Sequence, residues 1–224
     1  VLESIRRMWP SCLRFWIVFC GLAFSAGQSQ VRIARGADSS QVLRQLDKCL
    51  RHISREVSSA AIIWKEFTEE ERSQTDDLLK AGYVRGQSLP MNQFAEGFHR
   101  FDEFCGALRS HYRYKVNRSQ RKFARAGFNI EHFCGAEAAS RYTDEVHRLY
   151  LAVARQADVQ LEILPAEFFR QWALRCGYAV RLTAVSQGRR IVAFAWGVVL
   201  GETYQNVFVG LDYQLNAEYD LYFN

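Results

Sequence analysis

Three strand-length segments stand in a row towards the end of the chain, separated by turns of only a few residues. Ala179 to Ser186 comes first, and Gln187-Gly188 turns the chain. Ile191 to Leu200 is almost wholly apolar, the pattern of a central strand covered on both faces. Gly201-Glu202 turns the chain again, and Tyr204 to Leu211 is the third strand. Turns this short join only antiparallel neighbours, whereas a parallel pair needs a long crossover. Residues 179 to 211 are therefore predicted to form one antiparallel sheet, with Ile191 to Val199 in its interior.

The preceding 178 residues supply helices and fewer strands. Trp9-Pro10 opens an extended region leading to the apolar run Phe15 to Cys20. Asp38-Ser39-Ser40 offers an N-cap, and Val42, Leu43, Leu46, Leu50 and Ile53 follow at helical spacing, giving a helix from about 39 to 57. Ala60 to Trp64 reads as a buried strand. Thr68-Glu-Glu-Glu71 opens a helix to Gly82, and Tyr83 to Met91 is extended. Beyond Asn92, helical pattern covers Phe98 to Gly127 with a break near Gly106, and Ile130 to Phe133 is a strand. Glu137 to Gln156 reads as one helix, with Tyr142, Val146, Leu149, Tyr150 and Val153 on one face. Pro165 takes the first position of a helix running to Cys176. Asp212 to Asn216 reads as a loop before a last helix from about Ala217. The expected domains are 1–91 and 92–224, the first reading strand, helix, strand, helix, strand.

With 224 residues, 49% hydrophobic and 24% charged, the chain can bury a sizeable core, and its 3 prolines argue against a linker-rich chain. It begins at Val1 and closes on an unfinished helical pattern, so truncation at both ends is expected. The net charge of +5 suits an anionic ligand, a nucleotide or RNA, and equally an ordinary basic surface. The six cysteines form no C-x-x-C pair and no zinc spacing with histidine, which suggests reduced thiols in the cytoplasm and no metal. The apolar run Phe15 to Phe24, behind Arg6, Arg7 and Arg14, mimics a signal segment. It is shorter than the ~20 residues that span a bilayer. A buried strand ending at Gly21 or Gly27 is the favoured reading, and no membrane span is expected.

Four stretches carry a resemblance. They are Arg189-Arg-Ile-Val-Ala-Phe-Ala-Trp196, Tyr204-Gln-Asn-Val-Phe-Val-Gly-Leu-Asp-Tyr213, Tyr219-Asp-Leu-Tyr-Phe-Asn224, and the basic Tyr112-Arg-Tyr-Lys-Val-Asn-Arg-Ser-Gln-Arg-Lys-Phe123. Together they resemble the BioF2-like acetyltransferase domain of the GNAT superfamily and its FemAB/FemX peptidyltransferase relatives. Trp64-Lys-Glu-Phe67 is similar to a first-lobe feature of the same proteins. The resemblance implies an α/β (α+β) fold: a GNAT-like mixed, largely antiparallel sheet flanked by helices, in two lobes, the first partial and the second without its C-terminal strands. It implies N-acyl transfer from acyl-CoA to an amine, with Tyr204 to Leu211 as a splayed donor strand and the following helix facing the pyrophosphate. Two departures stand out. The glycine-rich pyrophosphate loop is replaced by Asp-Tyr-Gln-Leu-Asn after Leu211, and the strand expected after the last helix is missing.

Arg109, Arg113, Lys115, Arg118, Arg121, Lys122 and Arg125 run without an intervening acid, and Arg118, Arg121, Lys122 and Arg125 share one helical face. Leu108, Tyr112, Val116 and Phe123 trace an apolar stripe. The basic face fits the phosphates of a nucleotide donor or of tRNA. It equally fits a solvated face packed on acids such as those of Glu66 to Glu71. Donor binding is assigned to Arg118, Arg121, Lys122, Gly210 and Asn216. Asp212 and Tyr213 are the catalytic candidates, a carboxylate to take the amine's proton and a phenol to protonate the leaving group, although both also suit a turn and helix cap. Asp144 and His147 are close enough on one helix to pair, but no third partner is visible. Three functions stay open: N-acyltransferase using acyl-CoA, Fem-type transferase using aminoacyl-tRNA, and an inactive GNAT-like binding module. The expected acceptor is a small amine or a cell-wall precursor.

Overall fold

The computed structural model describes residues 15–22, 29–88, 92, 94, 97–157 and 163–223. The chain forms two compact units, Val1–Gln93 and Phe94–Asn224. The Trp9-Pro10 opening, the end of the signal-like run and Met91 lie outside the described residues.

In the first unit, β1 (Ile17–Cys20) pairs in parallel with β2 (Ala61–Trp64), from Ile17 opposite Ala61 to Cys20 opposite Trp64. A parallel pair needs a crossover, and α1 (Ser39–Glu56) provides it, capped by the Asp38 carboxylate on the Gln41 amide at 3.2 Å. α1 buries Leu43 and Leu50. β1 is half-buried along its length rather than fully buried. Beyond β2, Lys65 and Glu66 lie 3.8 Å apart with side chains 11% and 9% exposed. The helix expected from Thr68 starts late, as a 3-10 turn at Arg72–Thr75 and then α2 (Asp76–Lys80). Residues 68–71 form turns instead, the Glu71 and Arg72 amides donating to the Thr68 and Glu69 carbonyls at 3.1 and 3.2 Å, and at 72–75 the Thr75 hydroxyl and the Arg85 guanidinium both donate to the Arg72 carbonyl, competing with a helical ladder. Residues 83–88, expected to extend as a third strand, carry no ladder. Tyr83 and Arg85 are instead tied by their side chains to Asp47 and Asp76.

The second unit begins with α3 (Phe101–Ala107) and α4 (Ser110–Arg125), separated by extended Leu108 and Arg109. β3 (Asn129–Cys134) follows. The single helix expected over 137–156 is two, α5 (Gly135–Arg141) and α6 (Asp144–Gln156). Thr143 breaks it by accepting the Val146 amide with its hydroxyl, and Arg170 Nε donates to the Tyr142 carbonyl freed at the break, at 2.9 Å. α7 (Ala166–Cys176) has Pro165 just ahead of it as cap.

β4 (Val180–Gln187), β5 (Arg190–Leu200) and β6 (Thr203–Leu211) complete an antiparallel sheet in the order β3-β4-β5-β6. β5 lies in its interior, as the spacing of the two turns requires. Gly188 and Gly201, at φ 62° and 61°, make both turns possible. Because side chains alternate across a strand, Phe194 and Trp196 enter one core with Phe133, Leu182, Tyr142 and Phe169. Ala193 joins a second core on the other face with Val185, Leu211 and the partly buried Phe123 and Phe128. The last helix, α8 (Tyr213–Tyr219), starts earlier than expected because Asp212 already caps it, so residues 212–216 are not a loop.

Phe194 is 4% exposed inside the larger core. Phe194→Ala is expected to cost roughly 3–5 kcal/mol, read as a lower urea midpoint at unchanged m-value. An unchanged midpoint would place β5 at the periphery.

Candidate functional site

The cationic helix α4 turns Val116, Ser119 and Phe123 inward, Ser119 being 4% exposed. Tyr112, expected on that stripe, is 56% exposed, and Leu108 precedes the helix. Lys122 and Arg125 occupy the last turn, where the helix dipole favours positive charge. α4 itself carries no acid. Lys122 reaches across to Asp220 at 3.0 Å, a half-buried pair that ties α4 to the end of α8. Arg118, Arg121 and Arg125 are exposed, and none has an ion pair among the described residues. The acids considered as packing partners are engaged in the first unit: Glu66 with Lys65, Glu69 with Arg72, and Glu71 with Thr68.

At the start of α8, Asp212 Oδ1 accepts the amides of Gln214 and Leu215 at 3.0 and 3.3 Å. Its Oδ2 accepts from Arg190 at 3.0 Å, and Arg190 also faces Glu145 at 3.6 Å. A carboxylate therefore holds the amides at which a donor phosphate would be expected. Tyr213 packs with Phe123, Leu215 and Tyr219 on the second core. Asn216 Oδ1 accepts the Tyr222 amide at 2.8 Å. The structure thus gathers Lys122, Asp212, Tyr213 and Asn216 around α8. Gly210 is elsewhere: a Cβ there would lie 2.2 Å from the Phe194 ring and 2.8 Å from the Tyr150 amide nitrogen. It is a glycine because β6 passes this close to α6.

The Asp144–His147 pair does not form. Asp144 bonds Arg170, whereas His147 Nδ1 lies 3.3 Å from the Tyr142 hydroxyl. Burial lowers the His147 pKa, with Asp144 opposing and Arg170 assisting. Burial also keeps the Tyr142 phenol protonated far above its ordinary range. The Tyr142–His147 contact spans a helix break and had no signal in the sequence spacing. Among the described residues no cluster of three or more His, Cys, Asp or Glu could hold a metal. No described helix is long and apolar enough to cross a membrane.

Residues 23–206 match the model of the FemAB-like family, described as peptidoglycan biosynthesis/recognition. No curated protein matches the chain.

Asp212→Ala removes the cap and is expected to cost about 1 kcal/mol, whereas Asp212→Asn keeps the capping oxygen and most of the stability. Equal loss in both variants by chemical denaturation would show that the Arg190 pair, not the cap, matters. For His147, the folded pKa lies below the unfolded value near 6.5. Its contribution is complete above that value and is lost as pH falls through the lower folded pKa. Unfolding midpoints from about pH 7.5 to about pH 5 should fall less steeply in His147→Gln than in the parent. Parallel profiles would exclude this histidine as a source of acid sensitivity.

Proposed function

The chain belongs to the FemAB-like family of transferases linked to peptidoglycan, and from that premise we propose that it moves an acyl group from a polyanionic donor onto an amine of a cell-wall precursor. One observation carries the proposal: α4 exposes Arg118, Arg121 and Arg125 without ion-pair partners among the described residues, on a helix with no acid. These arginines spread over seven residue steps, roughly 10 Å at ~1.5 Å per residue. A row of that length matches successive phosphates of a nucleic-acid backbone better than a single pyrophosphate. The occupied N-terminus of α8 supports the same choice, since Asp212 already takes the amides there. Aminoacyl-tRNA is therefore the donor we favour, with acyl-CoA the second reading.

The chemistry is the same for either donor. A neutral amine attacks the ester or thioester carbonyl, the tetrahedral intermediate collapses, and the alcohol or thiol leaves with the proton the amine has lost. Holding donor and amine together supplies much of the rate, so no covalent enzyme intermediate is needed. In this proposal Asp212 and Tyr213 stand at the donor corner. The Asp212→Asn variant separates proton transfer from capping, since it keeps the cap but carries no basic carboxylate. Both donors are made in the cytoplasm, and the five described cysteines, all free thiols, accord with that compartment.

Replacing Arg118 and Arg121 together with alanine should weaken donor binding at least tenfold and flatten its salt dependence, since each phosphate contact contributes about 1–3 kcal/mol. The measurement is a titration of aminoacyl-tRNA, and separately of acyl-CoA, at two ionic strengths. Loss confined to tRNA supports the favoured donor, and loss confined to acyl-CoA supports the second reading. A double variant that binds both like the parent removes the basic face from the proposal.

A further inference from the structure

The face of the second sheet that carries Val185, Ala193 and Leu211 continues along the strands into a strip of different character. Directly opposed residues of an antiparallel pair share a face. Arg181 stands opposite Gly197 on one side and Cys134 on the other, and Thr183 stands opposite Ala195 and His132. Val180 and Leu182, which flank Arg181, are 0% exposed in the larger core, so Arg181 projects from the other face. Ala195 and Gly197 make the floor of this strip low.

Gly197 is small for a visible reason. A Cβ placed on it would lie 2.5 Å from both Cζ and the hydroxyl oxygen of Tyr204. The Tyr204 phenol therefore lies across β5, over the residue that Arg181 opposes. Its hydroxyl has no hydrogen-bond partner among the described residues. Arg181 is half-buried, and the only hydrogen bond of its guanidinium among the described residues runs to the adjacent Val180 carbonyl at 3.3 Å. No described carboxylate pairs with it. His132 Nδ1 and the Thr183 hydroxyl, 3.0 Å apart, form the neighbouring rim. Burial raises the Tyr204 pKa and the charge of Arg181 lowers it, as expected of two groups sharing one strip.

A half-buried guanidinium without a carboxylate is costly to leave unpaired. A phenol laid over a glycine floor beside it adds a second donor at a fixed place. We propose that Arg181 and Tyr204, over Gly197, form a binding site for a single oxyanion, a carboxylate or a phosphate, on a ligand lying along β5. The guanidinium would engage two of its oxygens and the phenol would donate to one. The site is distinct from the α8 corner: Gly197 is four residues along β5 from Ala193, ~13 Å at ~3.3 Å per residue. Binding at the site does not rest on the transferase reading.

The test uses the whole chain, with acetate and inorganic phosphate titrated separately at constant ionic strength against a chloride control. The Arg181 Nε–H resonance is followed by NMR. Saturable movement with one or both anions, absent with chloride, is expected. Saturation by acetate alone identifies a carboxylate ligand, and by phosphate alone a phosphorylated one. Tyr204→Phe, which removes only a hydroxyl, should weaken the apparent affinity several-fold at an unchanged melting temperature, and Arg181→Gln, read on the Gly197 amide resonance, should abolish it. Should the shifts be linear and match chloride, or should Tyr204→Phe bind like the parent, the site does not exist as described. Either result leaves the donor titration on α4 unaffected, so the two proposals fail separately.

Discussion

Tyr142 stacks on Phe169 with ring centroids 4.5 Å apart, and Trp196 meets both edge-on at 5.1 and 5.5 Å. This contact joins the break between α5 and α6, the middle of α7 and the centre of β5. Aromatic rings in such offset and edge arrangements gain beyond the area they bury. They also fix geometry, because a ring cannot rotate there without colliding. The helix break follows from it: Tyr142 is 0% exposed, and its carbonyl, lost to the helical ladder, accepts from Arg170 on the helix that supplies Phe169. The stack thus holds three helices on one face of the sheet and frees the other face for different work.

That second face is built by contrast. Where β5 places Phe194 and Trp196 on one side, it places Ala193, Ala195 and Gly197 on the other. Near Ala193 the space is filled by Phe123 from α4 and by Tyr213 and Leu215 from α8. Near Gly197 the space goes to the Tyr204 ring. One strand therefore carries a rigid core on one side and, on the other, a floor low enough for polar side chains to lie flat.

How much of this was legible depends on whether the signal was local. β4, β5 and β6 were readable because apolar runs of strand length alternate with turns, and the turns force antiparallel pairing. The row of arginines on α4 was readable for the same reason: charge at helical spacing needs no knowledge of the fold. The split of 137–156 was not, because both helices keep their apolar residues in phase and a lone Thr143 is a weak stop signal. The start of α8 was misplaced because Asp212 suits a turn and a cap equally. Lys122 with Asp220, and Arg181 with Tyr204, depend on which residues face one another across elements. Only the packed sheet, including its register shift at Trp196/Gly197, decides that.

The connections within the sheet differ greatly in reach. β4, β5 and β6 are joined by two-residue turns, whereas residues 135–179 separate β3 from β4. Closing a long loop costs more entropy before any contact rewards it, and hairpins form within microseconds. The three-stranded meander is therefore the natural nucleus of this unit. β3 lies at its edge across a connection that holds α5, α6 and α7 and brings Tyr142 against Trp196. On this ordering, mutations in the aromatic stack mainly hasten unfolding, and mutations at the Gly188 and Gly201 turns slow folding.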